Sequence, residues 1–196
     1  MSEYRDRLRD LTPRLKTLVD KPEETPESTL RALWLTAAGA PTSAQMALTK
    51  DLPDLDSDQR DELQRLICRR LAGEPLGHIT GRQSFMGLEL VVGRDALLPR
   101  RETEILAKAA RDVVDELLLI QEGLLVVDTC CGCGNLVLAM SRGRPSVRVV
   151  GVDLSPGAVD IAKTNARRFE LHDRVQFKVG DLLEPVDDLT GSVDLI

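Results

Sequence analysis

The chain has 196 residues, of which 42% are hydrophobic and 30% charged, so it is long enough for one sizeable core or two small ones. Its net charge of −6 disfavours a surface built to hold the phosphates of nucleic acids, although Arg69, Arg70 and Arg82 are candidates for a local basic patch. The amino end has no apolar signal region, and no stretch of about 18 apolar residues occurs, which predicts a cytoplasmic protein without a membrane segment.

Helical patterns separated by breakers occupy roughly the first 75 residues. Apolar residues follow helical spacing over residues 8–18, and Pro22 closes this element. The second helix is better marked, because Thr25 is a typical N-cap, Pro26 suits the first helical position and Gly39 follows the end. Two more helices are predicted, one over residues 42–49 and one that Ser57 caps and that ends at Gly73.

A change of period marks the next segment. In Leu88-Glu-Leu-Val-Val92 the apolar residues recur at alternate positions, and Gly87 precedes them as turn punctuation. We therefore expect a β-hairpin linker over residues 79–99. It would join a small all-α domain over residues 1–78 to a second domain over residues 100–196.

The second domain alternates helices with strands. A long helix is predicted from near Glu102, and apolar strands follow over residues 124–128, 147–152 and 175–179. This alternation predicts an α/β domain with a parallel, doubly wound sheet of Rossmann-like type. One more strand begins at Val193, and its apolar edge would lack a neighbour. We therefore expect an incomplete parallel sheet and a chain that is a piece of a longer protein.

The strongest candidate site is the turn after the first of these strands. Residues 130–134, here called the glycine loop, have the sequence Cys-Cys-Gly-Cys-Gly and follow Asp128 closely. Glycine allows the backbone to approach a small molecule, and the helix that follows offers unpaired N–H groups. A second acid, Asp153, ends the next strand 21 residues after Gly132. A carboxylate there can accept both hydroxyls of a ribose, so the pattern predicts a nucleoside-binding crevice.

Other kinds of site fit the same loop less well. Cys130 and Cys133 form a C-x-x-C pattern at a strand-to-helix turn, which is also typical of a thioredoxin-like redox pair. A structural zinc would need a fourth ligand, and neither His78 nor His172 has ligand spacing to the loop. A dinucleotide fingerprint would need glycine where Val137 stands. We therefore expect reduced thiols, no metal and no dinucleotide.

Several motifs follow one another from about Arg70 to the last residue. They are Gly73-Glu-Pro-Leu76, Ile79-Thr-Gly81, Phe85-Met-Gly-Leu88, Leu98-Pro-Arg-Arg-Glu-Thr-Glu104, the loop after Asp128, Val152-Asp-Leu-Ser-Pro156 and Gly180-Asp-Leu-Leu183. Together they resemble the HemK/PrmC family, whose members are S-adenosylmethionine-dependent protein-glutamine N5-methyltransferases. Several ordered motifs at matching separations are far more specific than one loop.

The resemblance implies S-adenosylmethionine as the cofactor and assigns its binding to Asp128, Cys130, Cys131, Gly132, Cys133, Gly134, Asp153, Asp181 and Leu182. By that assignment the glycine loop passes under the methionine part, and Asp128 helps to hold its amino end. Asp153 would accept the ribose hydroxyls. Asp181 and the backbone of Leu182 would face the adenine ring.

The resemblance also implies a reaction and a partner. In the family, an Asn-Pro-Pro-Tyr motif follows the strand that here begins at Val193, and it holds the amide nitrogen of the substrate glutamine. The motif does not occur in these 196 residues. No catalytic residue is therefore predicted in the chain, which is expected to bind cofactor without turnover. The implied substrate is the Gly-Gly-Gln glutamine of a peptide chain release factor, docked with help from the helical domain, and a sister branch methylates a ribosomal protein.

Two positions depart from the family pattern, which usually has glycine in place of Cys130 and proline in place of Arg101. If the loop position needs a positive φ, the Cβ of cysteine strains the loop and lowers its affinity for the cofactor. Two alternative functions stay open. One is an N6-adenine nucleic acid methyltransferase, which the acidic charge disfavours, and the other is a non-catalytic protein-binding module that has lost the cofactor.

Overall fold

The computed structural model of the chain describes residues 2–16, 18 and 20–196. They divide into two compact units, Met1–Glu89 and Leu90–Ile196. The helices of the first unit are α1 (Ser2–Leu11), α2 (Pro26–Ala37), α3 (Ala44–Ala47), α4 (Ser57–Leu71) and α5 (Leu76–Thr80). Their apolar faces enclose a core that includes Leu11, Leu30, Leu33, Trp34, Leu63 and Leu66.

Local signals set the ends of these helices. The hydroxyl of Thr25 accepts a hydrogen bond from the N–H of Ser28 at 3.1 Å, and Pro26 opens α2 as predicted. The first helix differs from its prediction, because α1 ends at Leu11 although the helical spacing of apolar residues continues. Proline disfavours helical backbone in the residue before it, so Pro13 ends the helix early.

A two-stranded sheet of β1 (Arg82–Phe85) and β2 (Leu88–Val91) confirms the predicted hairpin. Met86 and Gly87 connect the strands, with φ angles of 48° and 73°. Two successive positive φ angles are typical of a type I′ turn, whose twist matches that of the flanking strands. The turn therefore sets the register of the hairpin.

The elements of the second unit are α6 (Arg101–Leu117), β3 (Leu124–Thr129), α7 (Asn135–Ser141), β4 (Val147–Asp153), α8 (Pro156–Arg168), β5 (Val175–Val179) and a 3₁₀ helix (Glu184–Leu189). The three strands pair in parallel in the order β3-β4-β5. Parallel strands need crossover connections, and α7 and α8 supply them. The predicted α/β fold class is confirmed.

After β5 the chain returns across the sheet to the other side of β3. Leu195 forms an isolated parallel bridge with Val126, on the edge of β3 that β4 does not occupy. The N–H of Val127 donates to the carbonyl of Leu195 at 2.9 Å. A reversal of this kind leaves a crevice at the carboxyl end of the strand where it occurs, and open α/β sheets bind ligands there. The glycine loop follows β3 at this crevice.

The two faces of the sheet are packed differently. On one face Val150 and Val152 belong to the same apolar cluster as Val186 of the 3₁₀ helix. On the other face Gly151 leaves space for a ring, because a Cβ at this residue would lie 2.8 Å from Phe177. Among the described residues, no helix is long and apolar enough to cross a bilayer.

Candidate functional site

Three residues in the left-handed region shape the glycine loop. Cys130, Gly132 and Gly134 have φ angles of 62°, 54° and 82°. The N–H of Gly134 donates to the carbonyl of Cys131 at 2.8 Å and closes the loop. The N–H of Cys131 donates to the carbonyl of Val152 at 2.9 Å. The backbone therefore turns sharply between β3 and α7 while it stays fixed to β4.

The two glycines of the loop serve different purposes. A Cβ at Gly134 would lie 3.2 Å from both Ala162 and the Phe177 ring, so this residue packs against α8 and β5. A Cβ at Gly132 would meet nothing within 4 Å. The backbone at Gly132 therefore borders open space, where a small molecule can approach it closely.

Cys130 adopts the conformation in which strain is expected for a residue with a Cβ. Its side chain is exposed, and its φ of 62° lies in the region that favours glycine. The left-handed region costs an ordinary residue about 1 kcal/mol or somewhat more. The loop thus keeps a shape suited to glycine at the expense of some stability.

Asp153 joins the glycine loop to the end of β4. One of its carboxylate oxygens accepts from the N–H of Gly132 at 2.8 Å, and the other accepts from the N–H of Ser155 at 2.9 Å. The Ser155 hydroxyl accepts in turn from the N–H of Ala158 at 3.2 Å and caps α8. Each carboxylate oxygen has further lone pairs, so Asp153 can still accept hydrogen bonds from a ligand.

Asp128, near the end of β3, has a carboxylate oxygen without a partner. Its Oδ2 is buried and accepts no hydrogen bond from any residue that the structure describes. Burial first, and then the negative charge of Asp153, raise the pKa of Asp128 to about 7. A buried acid without a partner is unfavourable, and a cationic or hydrogen-bond-donating group of a ligand would relieve it.

The residues after β5 lie at the same edge of the sheet as Asp128 and Asp153, namely the edge formed by the carboxyl ends of the strands. The N–H of Gly180 donates to the carbonyl of Asp153 at 3.0 Å, so Asp181 and Leu182 follow directly beside the end of β4. Both side chains are exposed, and Leu182 has a positive φ of 45°. Four large apolar side chains at this edge are 41–72% exposed, namely Leu154, Val179, Leu182 and Leu183. This edge can bind an aromatic ring that carries polar groups, because the apolar side chains can pack against the ring and the carboxylates can accept hydrogen bonds from its polar groups.

The predicted site residues therefore all lie at the carboxyl ends of β3, β4 and β5. One hydrogen bond joins the N–H of Gly132 to the Asp153 carboxylate, whereas Asp181 and Leu182 follow Gly180, whose N–H donates to the Asp153 carbonyl. Leu154 was not among the predicted residues. Its signal in the sequence is an apolar residue placed directly after a strand-end acid.

The buried thiols of Cys131 and Cys133 are poorly suited to redox or metal chemistry. Burial raises the pKa of Cys133 to about 12, and it raises the pKa of Cys131 as well. The thiolate is the reactive and metal-binding form, so both groups stay protonated at neutral pH. In the described part of the chain, no group of three or more His, Cys, Asp or Glu residues could hold a metal ion.

Asn165 of α8 also contacts the glycine loop and was not predicted from the sequence. Its side chain is fully buried, and its Nδ2 donates to the carbonyl of Cys133 at 3.0 Å. In the sequence it occupies a core-facing position of an apolar helical pattern. A polar residue at such a position needs buried partners, and this is the signal that could have marked it.

The strand, the glycine loop and the acids at successive strand ends form the arrangement expected of an α/β domain that binds a nucleoside, and comparisons with known proteins give the class of the domain. A family model described as a methyltransferase domain matches residues 126–196. A second model, described as the PrmC N-terminal domain, matches residues 11–81.

Curated relatives agree with both matches. A release factor glutamine methyltransferase of Streptomyces coelicolor is 39% identical over 145 residues, which cover 74% of this chain and 49% of the relative. The protein of the same name from Dictyoglomus turgidum is 32% identical over 143 residues, which cover 72% of this chain and 49% of the relative. The chain belongs to the HemK/PrmC family, as its motifs predicted, and it spans about half the length of the curated relatives it matches.

Proposed function

We propose that the chain binds S-adenosylmethionine in the crevice between the glycine loop and the ends of β3, β4 and β5. The proposal rests on the Oδ2 of Asp128, which has no partner among the described residues and which the ammonium group of the methionine part would satisfy. The open space at Gly132 leaves room for that part beside the loop. The match to a methyltransferase domain supports the same cofactor.

The remaining site residues suit the nucleoside part of the cofactor. Asp153 would accept the ribose hydroxyls with lone pairs that its two backbone hydrogen bonds leave available. Asp181 would accept from the exocyclic amine of adenine, and the N–H of Leu182 would donate to a ring nitrogen. The exposed side chains of Leu154 and Leu183 would cover the apolar faces of the ring.

We further propose that the protein to which these residues belong methylates the side-chain amide of a glutamine in a peptide chain release factor. The curated relatives are named for that activity. When bound, S-adenosylmethionine supplies an electrophilic methyl group. An amide nitrogen is a poor nucleophile, so the protein contributes mainly by holding the reacting groups in line. The chain contains no Asn-Pro-Pro-Tyr motif, and we expect these 196 residues to bind cofactor without transferring the methyl group.

The same proposal gives each part of the chain a role. Residues 1–78 would help to dock the release factor, residues 79–99 would connect the two parts, and residues 100–196 would form the first part of the methyltransferase domain. The match of the PrmC N-terminal domain to residues 11–81 supports a separate helical domain. A release factor substrate also implies a cytoplasmic protein.

Calorimetric titration of the chain with S-adenosylmethionine tests the proposed site. We expect saturable binding by the unchanged chain and a loss of at least about tenfold in affinity for Asp153→Ala, since the substitution removes two ribose acceptors and the anchor of Gly132. Asp173→Ala is the matched control, because Asp173 is an exposed acid just before β5, at the opposite edge of the sheet.

Two outcomes would contradict the proposal. If the folded chain binds no cofactor, the alternative of a protein-binding module that has lost its cofactor is favoured. If Asp153→Ala and Asp173→Ala bind as tightly as the unchanged chain, the cofactor binds at another place.

A further inference from the structure

Residues 91–95, here called the strap, lie along helix α8 within the second unit. Their alternate residues contact the helix at intervals of four residues, in the pairs Val91 with Asn165, Gly93 with Ile161 and Asp95 with Gly157. The strap runs from the end of β2 at Val91 to a turn at Arg94 and Asp95, while four residues of an α-helix advance about 6 Å. The three contacts therefore lie on successive turns of α8, along one stripe of the helix.

Two glycines allow this close approach. A Cβ at Gly93 would lie 3.0 Å from the end of the Ile161 side chain. A Cβ at Gly157 would lie 2.6 Å from the Asp95 side chain, and the Asp95 carbonyl accepts from the Ser155 hydroxyl at 3.2 Å. The strap therefore fits α8 with almost no free space at either glycine.

The carboxamide of Asn165 joins the strap to the glycine loop. Its Oδ1 accepts from the N–H of Val91 at 2.7 Å, and its Nδ2 donates to the Val91 carbonyl at 2.9 Å. The second proton of Nδ2 goes to the Cys133 carbonyl at 3.0 Å. One side chain thus satisfies two backbone groups of the strap and one of the loop.

The carbonyl that Asn165 holds belongs to the peptide group between Cys133 and Gly134. The N–H of the same peptide group donates to the carbonyl of Cys131. Both ends of the peptide dipole are therefore fixed, one by the loop itself and the other by Asn165. An apolar side chain could fill this buried position equally well, but it could not orient the peptide group.

We propose that Asn165 is a positioning residue, which holds the glycine loop in the shape needed for the cofactor and couples that shape to the seating of the strap. The inference rests on the proposed function, since it assigns Asn165 a role in a site for S-adenosylmethionine. Asn165 itself acts through the loop and is not assigned a contact with the cofactor.

The variant Asn165→Asp tests this role, because it keeps the size of the side chain and removes the donor. Its carboxylate would face the carbonyls of Val91 and Cys133, so we expect affinity for S-adenosylmethionine to fall at least about tenfold. Thr164→Ala is the matched control. Thr164 is the preceding residue, and its exposed hydroxyl donates only to the Asp160 carbonyl within α8.

Two nuclear magnetic resonance measurements separate positioning from a general loss of stability. In the unchanged chain, the amide resonance of Val91 should shift when cofactor is added, while that of Val175 at the opposite end of the sheet should not. Without cofactor, the amide hydrogen of Gly134 should exchange at least about tenfold faster in Asn165→Asp than in Thr164→Ala.

The outcomes distinguish this inference from the proposed function. If the unchanged chain binds cofactor and a folded Asn165→Asp binds it equally well, the positioning role is wrong and the site stands. A Val91 resonance that does not shift at saturating cofactor contradicts the coupling between the loop and the strap. This measurement uses the unchanged chain, so it tests the coupling even if Asn165→Asp does not fold. If the unchanged chain binds no cofactor, the proposed function fails, and unchanged exchange at Gly134 then rejects the role of Asn165 separately.

Discussion

Cys130 and Asp128 each cost the folded chain free energy, one through a left-handed backbone and the other through a buried oxygen without a partner in the described residues. Both residues lie next to the proposed cofactor crevice. Strained backbone and unpaired polar groups are unfavourable for folding alone and are found together where a structure is arranged for a ligand. Their substitution should therefore change stability and cofactor affinity in ways that differ between the two residues.

Replacing Cys130 with glycine should relieve the strain of its φ of 62°. Glycine has greater freedom in the unfolded chain, which offsets part of the gain, so we expect the free energy of unfolding to rise by up to about 1 kcal/mol. Affinity for S-adenosylmethionine should rise as well, because less strain opposes the binding shape of the loop. Urea unfolding and calorimetric titration measure the two effects.

The same substitution at Cys68 provides the control. Cys68 is an exposed residue within α4, where glycine costs about 1 kcal/mol relative to alanine and roughly 0.3 kcal/mol relative to cysteine. Cys130→Gly and Cys68→Gly should therefore change stability in opposite directions. Equal losses at both positions would show that the backbone of Cys130 is not strained.

Asp128 should make stability depend on pH. Its pKa is raised from 3.8 to about 7 in the folded chain, so the folded state holds a proton that the unfolded state has released. The contribution of Asp128 to the free energy of unfolding is therefore fully present below about pH 4, and it is lost as the pH rises through 7. One pKa unit corresponds to about 1.4 kcal/mol, which limits the whole effect to about 4 kcal/mol.

Asp128→Asn removes this titration. We expect the variant to gain stability over the unchanged chain between pH 5 and pH 8 in urea unfolding, and to lose affinity for S-adenosylmethionine because the amide cannot neutralise an ammonium group. Asp160→Asn, at an exposed acid of α8, is the control and should show neither change. A stability difference that stays constant from pH 5 to pH 8 would contradict the raised pKa.

Among the secondary-structure elements, those with their own start and stop signals were predictable from the sequence. Helix α2 has Thr25 and Pro26 at its start, and the hairpin has Gly87 in its turn. The early end of α1 was missed because its apolar spacing continues past the proline that stops it. Helix α5 was missed because five residues are too few to show a period.

The candidate site likewise contains some residues that the sequence could predict and others that it could not. The acids Asp128 and Asp153 and the glycine loop could be predicted as candidates because they stand at the ends of apolar strands in the sequence. Asn165 was not found, because its partners lie 74 and 32 residues away and only the folded chain brings them together. The strap went unrecognised for the same reason, since the residues of α8 that it contacts are distant from it in the sequence.

The fit of the strap to α8 leads to a prediction for Gly157. Within a helix, alanine normally stabilises by about 1 kcal/mol relative to glycine. Here the new Cβ would lie 2.6 Å from the Asp95 side chain, so the strap must move and the variant should lose stability. Urea unfolding of Gly157→Ala measures the change.

Asp95→Gly reverses the expected sign. Asp95→Gly removes the three atoms that the added methyl group would meet most closely, and Gly157→Ala should then stabilise the chain by up to about 1 kcal/mol. A gain in stability from Gly157→Ala in the presence of Asp95 would mean that the strap does not pack against this end of α8.

For the molecule as a whole, charge bears on the alternative of a nucleic acid methyltransferase. The three arginines proposed as a local basic patch are engaged within the first unit. Arg69 forms paired hydrogen bonds with the carboxylate of Glu74 at 2.7 and 2.8 Å. Arg70 is buried and donates to Glu24 at 3.0 Å. Arg82 donates to the carbonyl of Gly81 at 2.8 Å.

These contacts and the net charge of −6 predict that the chain does not bind DNA or RNA as a substrate. Fluorescence anisotropy with a labelled duplex and a labelled single strand should show no saturable binding at 150 mM salt, under conditions in which S-adenosylmethionine binds. Any weak association at 50 mM salt should be unaffected by Arg69→Gln, because Glu74 already neutralises that guanidinium. Saturable binding that weakens steeply with salt would instead support the nucleic acid alternative, since phosphate contacts release bound counterions and give affinity that dependence.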